Sequence, residues 1–151
     1  MVFRKIDRSN YWECMELTVD DSQKDFVADN KQSLVEAAYE ENLYTLGIYC
    51  QDTMVGFILY DYDDQIPGWS MSRFMIGKQY QGKGYGKRLM EYARDKKHMD
   101  KVDVNEQNEK ALQFYLHLGF QVIGRDETDS MGKPFPILHL QLPEADSTNR
   151  D

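Results

Sequence analysis

Three closely spaced glycines lie in segment 81–86, between an apolar stretch at 73–76 and a helical pattern that begins near Tyr85. Glycine has no Cβ and tolerates positive φ, so the backbone N–H groups of residues 82–87 can crowd around phosphate oxygens. A helix that starts here adds the positive end of its dipole. The segment therefore predicts a diphosphate-binding turn, although the same residues also suit an ordinary tight turn.

The spacing of these glycines excludes two well-known phosphate loops. A P-loop places Ser or Thr after its Gly-Lys pair to hold magnesium, and no such hydroxyl stands in this segment. A dinucleotide fingerprint spaces its glycines Gly-x-Gly-x-x-Gly and has an acid about 20 residues further on, whereas lysines dominate here. The remaining pattern is Gln-x-x-Gly-x-Gly, formed by Gln81, Gly84 and Gly86.

A second patterned segment runs from Asn108 to Phe120. Asn108 is a good N-cap, and Gly119 suits the left-handed position that ends a helix. The spacing i, i+3, i+4, i+7 predicts that four residues share one face of this helix: Ala111, Phe114, Tyr115 and Leu118. Taken by itself, the pattern makes Tyr115 a core residue.

The two segments together resemble the two characteristic stretches of the GNAT N-acetyltransferase superfamily, and they occur in the same order. The first is similar to its acetyl-CoA pyrophosphate loop, and the second to its Asn-x-x-Ala-x-x-Phe-Tyr-x-x-x-Gly-Phe stretch. This resemblance implies a mixed α/β GNAT fold. Its central sheet would have about seven mostly antiparallel strands, splayed at the CoA site and flanked by about four helices.

The resemblance also implies acetyl-CoA as cosubstrate and direct attack by an amine in a ternary complex. A backbone N–H near Met75 would stabilise the oxyanion, and Tyr115 would protonate the leaving thiolate as the catalytic acid. The implied cofactor-binding residues are Phe74, Met75, Ile76, Gln81, Gly82, Lys83, Gly84, Tyr85, Gly86, Lys87, Asn108 and Tyr115.

The N-terminal half suggests the acceptor. Segments 26–37, 46–49 and 54–57 resemble bacterial spermidine/spermine (diamine) acetyltransferases, which implies a polyamine substrate. The same chemistry would serve a protein N-terminus, a lysine, an aminoglycoside or another small amine. A non-catalytic acyl-CoA-binding module is a further alternative, which the intact loop, Asn108 and Tyr115 disfavour.

The charge distribution agrees with an anionic cofactor and a cationic acceptor. The net charge is −8, from 18 basic and 26 acidic residues. Segment 78–101 holds eight basic residues and three acids, a net of +5, which leaves −13 on the rest of the chain. A cleft of one sign concentrates ligands of the other, although the acids can equally serve to solvate the surface. Overall acidity disfavours nucleic acid as a partner.

The general base is open at this point. An alkylammonium has a pKa of about 10.4 and must lose a proton before its nitrogen can attack. Strand 69–76, which ends beside the glycine loop, contains no acid. We favour a chain of water molecules, with Glu36, Glu40 and Asp61 as the alternative bases and as candidate acceptor-binding residues. The histidines, at 98, 117 and 139, are interpreted as structural.

The chain predicts one acetyltransferase domain at 1–142 and a disordered tail at 143–151. Two cysteines, Cys14 and Cys50, indicate reduced thiols and a cytoplasmic protein. No segment reads as a membrane span or as a metal-ligand cluster, so we expect neither a membrane partner nor a metal. The resemblance allows a homodimer.

Local patterns predict strand, two helices, a hairpin, strand, helix, strand, helix and two final strands. Asn10, with Glu13 three residues later, predicts a capping box for the first helix. Asn30 is expected to cap the second helix, with Leu34, Ala37 and Ala38 facing inward. Gln51-Asp52 is the expected hairpin turn.

Overall fold

The computed structural model describes residues 1–26, 29–64, 67–129 and 131–144. The predicted order of elements is confirmed: β1 (Val2–Lys5), α1 (Tyr11–Glu16), α2 (Asn30–Tyr39), β2 (Tyr44–Cys50), β3 (Thr53–Asp63), β4 (Gly68–Ile76), α3 (Tyr85–Lys97), β5 (Met99–Asn105), α4 (Glu109–His117), β6 (Gln121–Asp126) and β7 (Ile137–Gln141). The tail predicted at 143–151 lies outside the described residues from position 145 onward.

The seven strands form one sheet in the order β1-β2-β3-β4-β5-β7-β6. All neighbouring strands are antiparallel except β4 and β5, which are parallel. Apolar side chains of α3 and α4 pack on one face and those of α1 and α2 on the other, so two cores sandwich the sheet. The predicted mixed α/β fold, with a mostly antiparallel sheet and four helices, is confirmed.

The sheet splays open between β4 and β5. Their pairing covers Trp69–Met71 and then stops, so the remainder of β4 runs on without β5 as a neighbour. A β-bulge lies at the same point: Arg73 pairs with Leu59 and Met71 with Tyr60, which leaves Ser72 as an extra residue. A bulge bends its strand, which accounts for the divergence and for the cleft that opens there.

The starts of α1 and α2 differ from the prediction because tertiary partners take the side chains expected to cap them. Asn10 occupies the N-cap position of α1, but its amide bonds Lys5 O at 3.1 Å and the Tyr49 hydroxyl at 3.2 Å. Glu13 accepts from the Met54 N–H at 3.0 Å instead of closing a capping box. That prediction was wrong.

The predicted cap of α2 was wrong by one residue. Asp29 caps the helix by accepting from Gln32 N at 2.8 Å. Asn30 is buried in its first turn, where its amide donates to Cys14 O at 2.9 Å. Leu34 and Ala37 pack against the core as expected, whereas Ala38 is exposed.

The predicted hairpin turn and the predicted free thiols agree with the structure. The hairpin turns at Gln51, whose φ is 57°. Cys14 and Cys50 are free, and burial raises the pKa of the Cys14 thiol to about 12. Within the described ranges, no helix is long and apolar enough to cross a membrane.

Candidate active site

The glycine loop precedes α3 and leaves the start of that helix uncapped. Gly82 and Gly84 have φ of 77° and 80°, a conformation that side-chain-bearing residues rarely adopt. Gly84 is the N-cap of α3 and supplies no side-chain oxygen, and a Cβ added at either glycine would meet open space. The first N–H groups of a 13-residue helix thus face an open surface, which fits an anionic diphosphate.

The third glycine has a packing role rather than a turning role. A Cβ on Gly86 would lie 2.5 Å from Cζ of Phe114, so Gly86 allows α3 and α4 to approach closely. Both segments singled out from the sequence therefore meet beside the cleft. Lys83 and Lys87 are exposed on the loop and on the first turn of α3.

Gln81 ties the glycine loop to the end of β4. Its side-chain amide donates to Ile76 O at 2.9 Å. Its oxygen accepts from Lys110 Nζ at 3.3 Å, and the same ammonium pairs with Asp20 at 2.7 Å. Sequence reasoning did not find Lys110, because this bridge joins residues that are distant in the chain.

The free edge of β4 carries the backbone donors predicted near Met75. The Gly77 N–H bonds Val55 O at 2.9 Å, and Met75 pairs with Phe57 in register. Hydrogen bonds in an antiparallel pair alternate along a strand, so the N–H of Met75 points to β3. The N–H groups of Phe74 and Ile76 therefore face the cleft, one residue to either side of the predicted position.

The start of α4 is built as predicted. Asn108 is 2% exposed and its side chain accepts from Ala111 N at 3.3 Å. Gly119 has φ of 101° at the end of the helix. Tyr115 is 5% exposed and packs against Phe114 and Phe120, with ring centroids 5.4 and 5.3 Å away.

Tyr115 stays protonated at neutral pH. Burial raises the pKa of its phenol far above the usual range, and the charge of Asp103 raises it further. A phenol of this kind remains a hydrogen-bond donor at neutral pH. The residue belongs to the core and also lines the cleft, so its burial is compatible with the predicted site role.

The three predicted acceptor residues lie in different surroundings. Glu36 forms an ion pair with Arg73 at 2.6 Å, and Arg73 also donates to the Ser33 hydroxyl at 3.0 Å. Burial acts to raise the pKa of Glu36, but the bonds from Arg73 and Gln32 outweigh it and hold that pKa below its usual value. Glu40 is exposed at the end of α2 and does not line the cleft.

Asp61 is half-buried on β3 and lines the cleft. Burial raises the pKa of its carboxyl, and the nearby charges of Asp103 and Asp63 raise it further, against a 3.1 Å bond from the Ser72 hydroxyl. Glu36 also lines the cleft, but its pKa is lowered, so Asp61 is the predicted residue that combines a place in the cleft with a raised pKa. That combination suits a proton acceptor.

A cluster of one histidine and two aspartates also lines the cleft, and it was not predicted from the sequence. His139 Nδ1 lies 2.6 Å from Asp103, and its Nε2 lies 2.7 Å from Asp126. The bond to Asp103 raises the pKa of His139 to about 9, with help from Asp126 and against some burial. His98 and His117 are exposed. The cluster is invisible in the sequence, because cross-strand register brings its members together.

Most of these groups line one continuous cleft of about 1740 Å³, whereas Lys83, Glu40 and His98 lie outside it. One end is the glycine loop with the start of α4, the middle is the gap between β4 and β5, and the other end holds Asp61, Asp103 and His139. Residues 15–135 match the family of acetyltransferase (GNAT) domains, which is most of the chain. The chain belongs to the GNAT acetyltransferase family. The family uses acetyl-CoA, and the loop geometry above fits its diphosphate.

The known proteins similar to this GNAT acetyltransferase differ in their acceptors. A peptidyl-lysine N-acetyltransferase, YjaB of Salmonella typhimurium, is 35% identical over 127 residues, covering 82% of this chain and 83% of the relative. The solution structure of apo-form YjaB from Escherichia coli has a TM-score of 0.68 at 28% identity, over 95% of this chain and 98% of that one. A probable spermine N(1)-acetyltransferase of Bacillus subtilis subsp. natto is 28% identical, over 83% of this chain and 90% of the relative.

The charged state of His139 predicts how the stability of the fold depends on pH. Its pKa is raised from 6.5 to about 9 on folding, so its contribution is fully present below pH 6.5 and is lost as pH rises through 9. The partly exposed site reduces this contribution to about 2 kcal/mol. His139→Asn should lose it at pH 6 and converge on the wild type by pH 10, as measured by urea unfolding. The control His98→Asn, at an exposed position, should follow the wild type, and equal losses for His139→Asn at both pH values would contradict the assignment.

Proposed function

We propose that this chain transfers the acetyl group of acetyl-CoA to the Nε amine of a lysine side chain in a protein. The observation that carries the proposal is a pair of carboxylates, Asp61 and Asp103, which line the acceptor end of the cleft and interact electrostatically. Asp61 belongs to β3 and Asp103 to β5, on either side of the splayed gap. Two carboxylates so placed make a seat for one ammonium group.

Several carboxylates near this seat have basic partners, and Asp103 itself shares the imidazole of His139 with Asp126. Glu36 pairs with Arg73 and Asp126 with His139, while Arg125 lies between Glu106 and Glu127. A polyamine carries several ammonium groups along its length and requires several unneutralised acids. A single seat matches the single charge of lysine, and it agrees with the peptidyl-lysine activity of the relative with 35% identity.

The walls of the cleft suit the aliphatic part of a lysine side chain. Phe135, 39% exposed, and Ile137 at the start of β7 offer apolar surface, which is backed by the buried side chains of Phe57, Leu59 and Met75 from the central strands. The four methylene groups of lysine bury along apolar surface while the charged head reaches polar partners. This lining supports an alkyl-ammonium acceptor whose backbone remains outside the cleft.

In the proposed reaction, bound acetyl-CoA supplies an acetyl thioester at the gap between β4 and β5. Asp61 accepts the proton of the seated ammonium, because its weakened acidity makes it a better base than an exposed carboxylate. The N–H groups of Phe74 and Ile76 stabilise the negative charge that develops on the carbonyl oxygen. The amine nitrogen bonds to the carbonyl carbon and passes its second proton to solvent, the C–S bond breaks, and Tyr115 donates a proton to the leaving thiolate and is reprotonated from solvent.

The choice of acceptor is tested by turnover with a panel of amines. CoA release should be fastest with a lysine-containing protein or peptide and at least about tenfold slower with spermidine, spermine or an aminoglycoside, because only one ammonium is matched. The peptide with Nε-acetyl-lysine in place of lysine is the control. Faster turnover with spermidine or spermine would overturn the lysine assignment and favour the polyamine acceptor, while leaving the acetyltransferase reaction in place.

Replacing Asp61 separates its catalytic role from its structural one. Asp61→Asn should lower kcat by about 100-fold or more, since general-base catalysis contributes about 10²–10⁴-fold. Stability at pH 7 should hold or increase, because the raised pKa shows that the folded protein disfavours the ionised carboxyl. Asp52→Asn, at an exposed hairpin position, is the matched control. Turnover equal to that of the wild type would exclude Asp61 as the base.

Replacing Tyr115 tests the proposed acid. Tyr115→Phe keeps the ring that packs between Phe114 and Phe120 and removes only the hydroxyl. The affinity for acetyl-CoA, measured by calorimetry, should stay within about threefold of the wild type while kcat falls by about 100-fold. Tyr39→Phe, at a position 85% exposed, provides the control. An undiminished kcat would remove Tyr115 from this role.

A further inference from the structure

The imidazole of His139 lies between two carboxylates, and the three residues come from three neighbouring strands of the sheet. His139 belongs to β7 and pairs in register with Asp103 of β5 and with Gly124 of β6. Its Nδ1 is 2.6 Å from an oxygen of Asp103, and its Nε2 is 2.7 Å from an oxygen of Asp126. The ring lies against Gly124, where an added Cβ would come within 3.4 Å of Cδ2.

The two contacts require a doubly protonated ring. An ionised carboxylate only accepts hydrogen bonds, and a neutral imidazole has a single N–H to donate. With a neutral ring, one of the two short contacts would place a nitrogen lone pair against a carboxylate oxygen. The imidazolium donates to both carboxylates and satisfies both distances.

We propose that His139 is a positioning residue for acetyl transfer: its imidazolium, anchored by Asp126, fixes the Asp103 carboxylate at the wall of the cleft as a counter-charge for the acceptor ammonium. The inference rests on the proposed function, because it assigns Asp103 to the acceptor seat. His139 acts through Asp103 and does not touch the reacting atoms. Asp126, 67% exposed, is the outer anchor.

The charged groups around the cluster explain why the imidazolium matters. Asp103 and Asp126 face the ring from β5 and β6. The charge of Asp103 also acts on Asp61 from β3 and on Tyr115 from α4, and Asp63 acts on Asp61. Without a cation beside Asp103, the charge of Asp103 would act on Asp61 unopposed, and Asp61 would retain its proton to higher pH. The imidazolium offsets that charge, so that Asp61 can be ionised when the ammonium group binds and can then accept its proton.

The first arm of the test needs no substrate. The ring of His139 should titrate near pH 9 in the free enzyme, followed by the ¹³Cε1 and ¹⁵N chemical shifts of labelled histidine, with His139→Asn used for assignment. Asp126→Asn should shift this titration to lower pH because one anchor is lost. A titration of His139 near pH 6.5 in the wild type would overturn the proposal whatever the acceptor proves to be.

The second arm measures kinetics with the amine that the wild type acetylates fastest. Asn places an amide donor where Nδ1 stood, so His139→Asn retains a bond to Asp103 and removes the charge. The KM for the amine should rise about tenfold, and the acidic limb of the pH profile of kcat/KM should move up by about one pH unit. The KM for acetyl-CoA should be unchanged. His139→Lys, which restores a cation, should recover part of the loss, and His98→Asn should behave as the wild type.

The outcomes separate this proposal from the proposed function. If His139→Asn has the same acidic limb of kcat/KM and the same KM for the amine as the wild type, the positioning role is overturned and the acceptor assignment stays intact. Equal losses in His139→Asn and His139→Lys would reduce His139 to a packing residue. A wild type that acetylates a non-lysine amine would contradict the acceptor, and the same kinetic comparison with that amine would still decide the role of His139. A wild type that acetylates no amine would overturn both.

Discussion

The early end of the pairing between β4 and β5 is the constraint on which the rest of the site depends. These are the two parallel neighbours of the sheet, and the extra residue Ser72 bends β4 away just after Met71. The bend frees the N–H groups of Phe74 and Ile76 and opens a cleft through the sheet. An uninterrupted ladder would satisfy those donors and close the gap, and a reaction that needs oxyanion donors would have none there.

The two ends of this cleft have opposite electrostatic character, and the fold separates them. The glycine loop, the positive end of α3 and nearby lysines form the end that suits a diphosphate. Asp61 and Asp103 form the other end, where an amine would enter. Arg73 and His139 limit the negative charge there, because each neutralises a neighbouring carboxylate. We interpret this balance as part of the proposed preference for one ammonium group over several.

Features that depend on neighbours in the chain could be predicted from the sequence. The glycine turn, the Asn108 cap and the Gly119 helix end are all local, and each appears where the sequence places it. Asn10 and Asn30 were predicted as caps by the same logic, but buried carbonyl groups elsewhere in the fold recruit their amides. The Asp103–His139–Asp126 cluster depends on cross-strand register, and Glu36 on its pairing with Arg73, which one sequence does not reveal.

The most direct test of this account is a crystal structure with a bisubstrate inhibitor, in which CoA is joined through an acetyl bridge to the lysine Nε of a peptide. We predict that the bridge lies between β4 and β5, with its carbonyl oxygen within hydrogen-bond distance of the Phe74 or Ile76 N–H. The lysine nitrogen should face Asp61 and Asp103. A lysine stem that leaves the cleft elsewhere, with Asp61 and Asp103 uninvolved, would contradict the central claim.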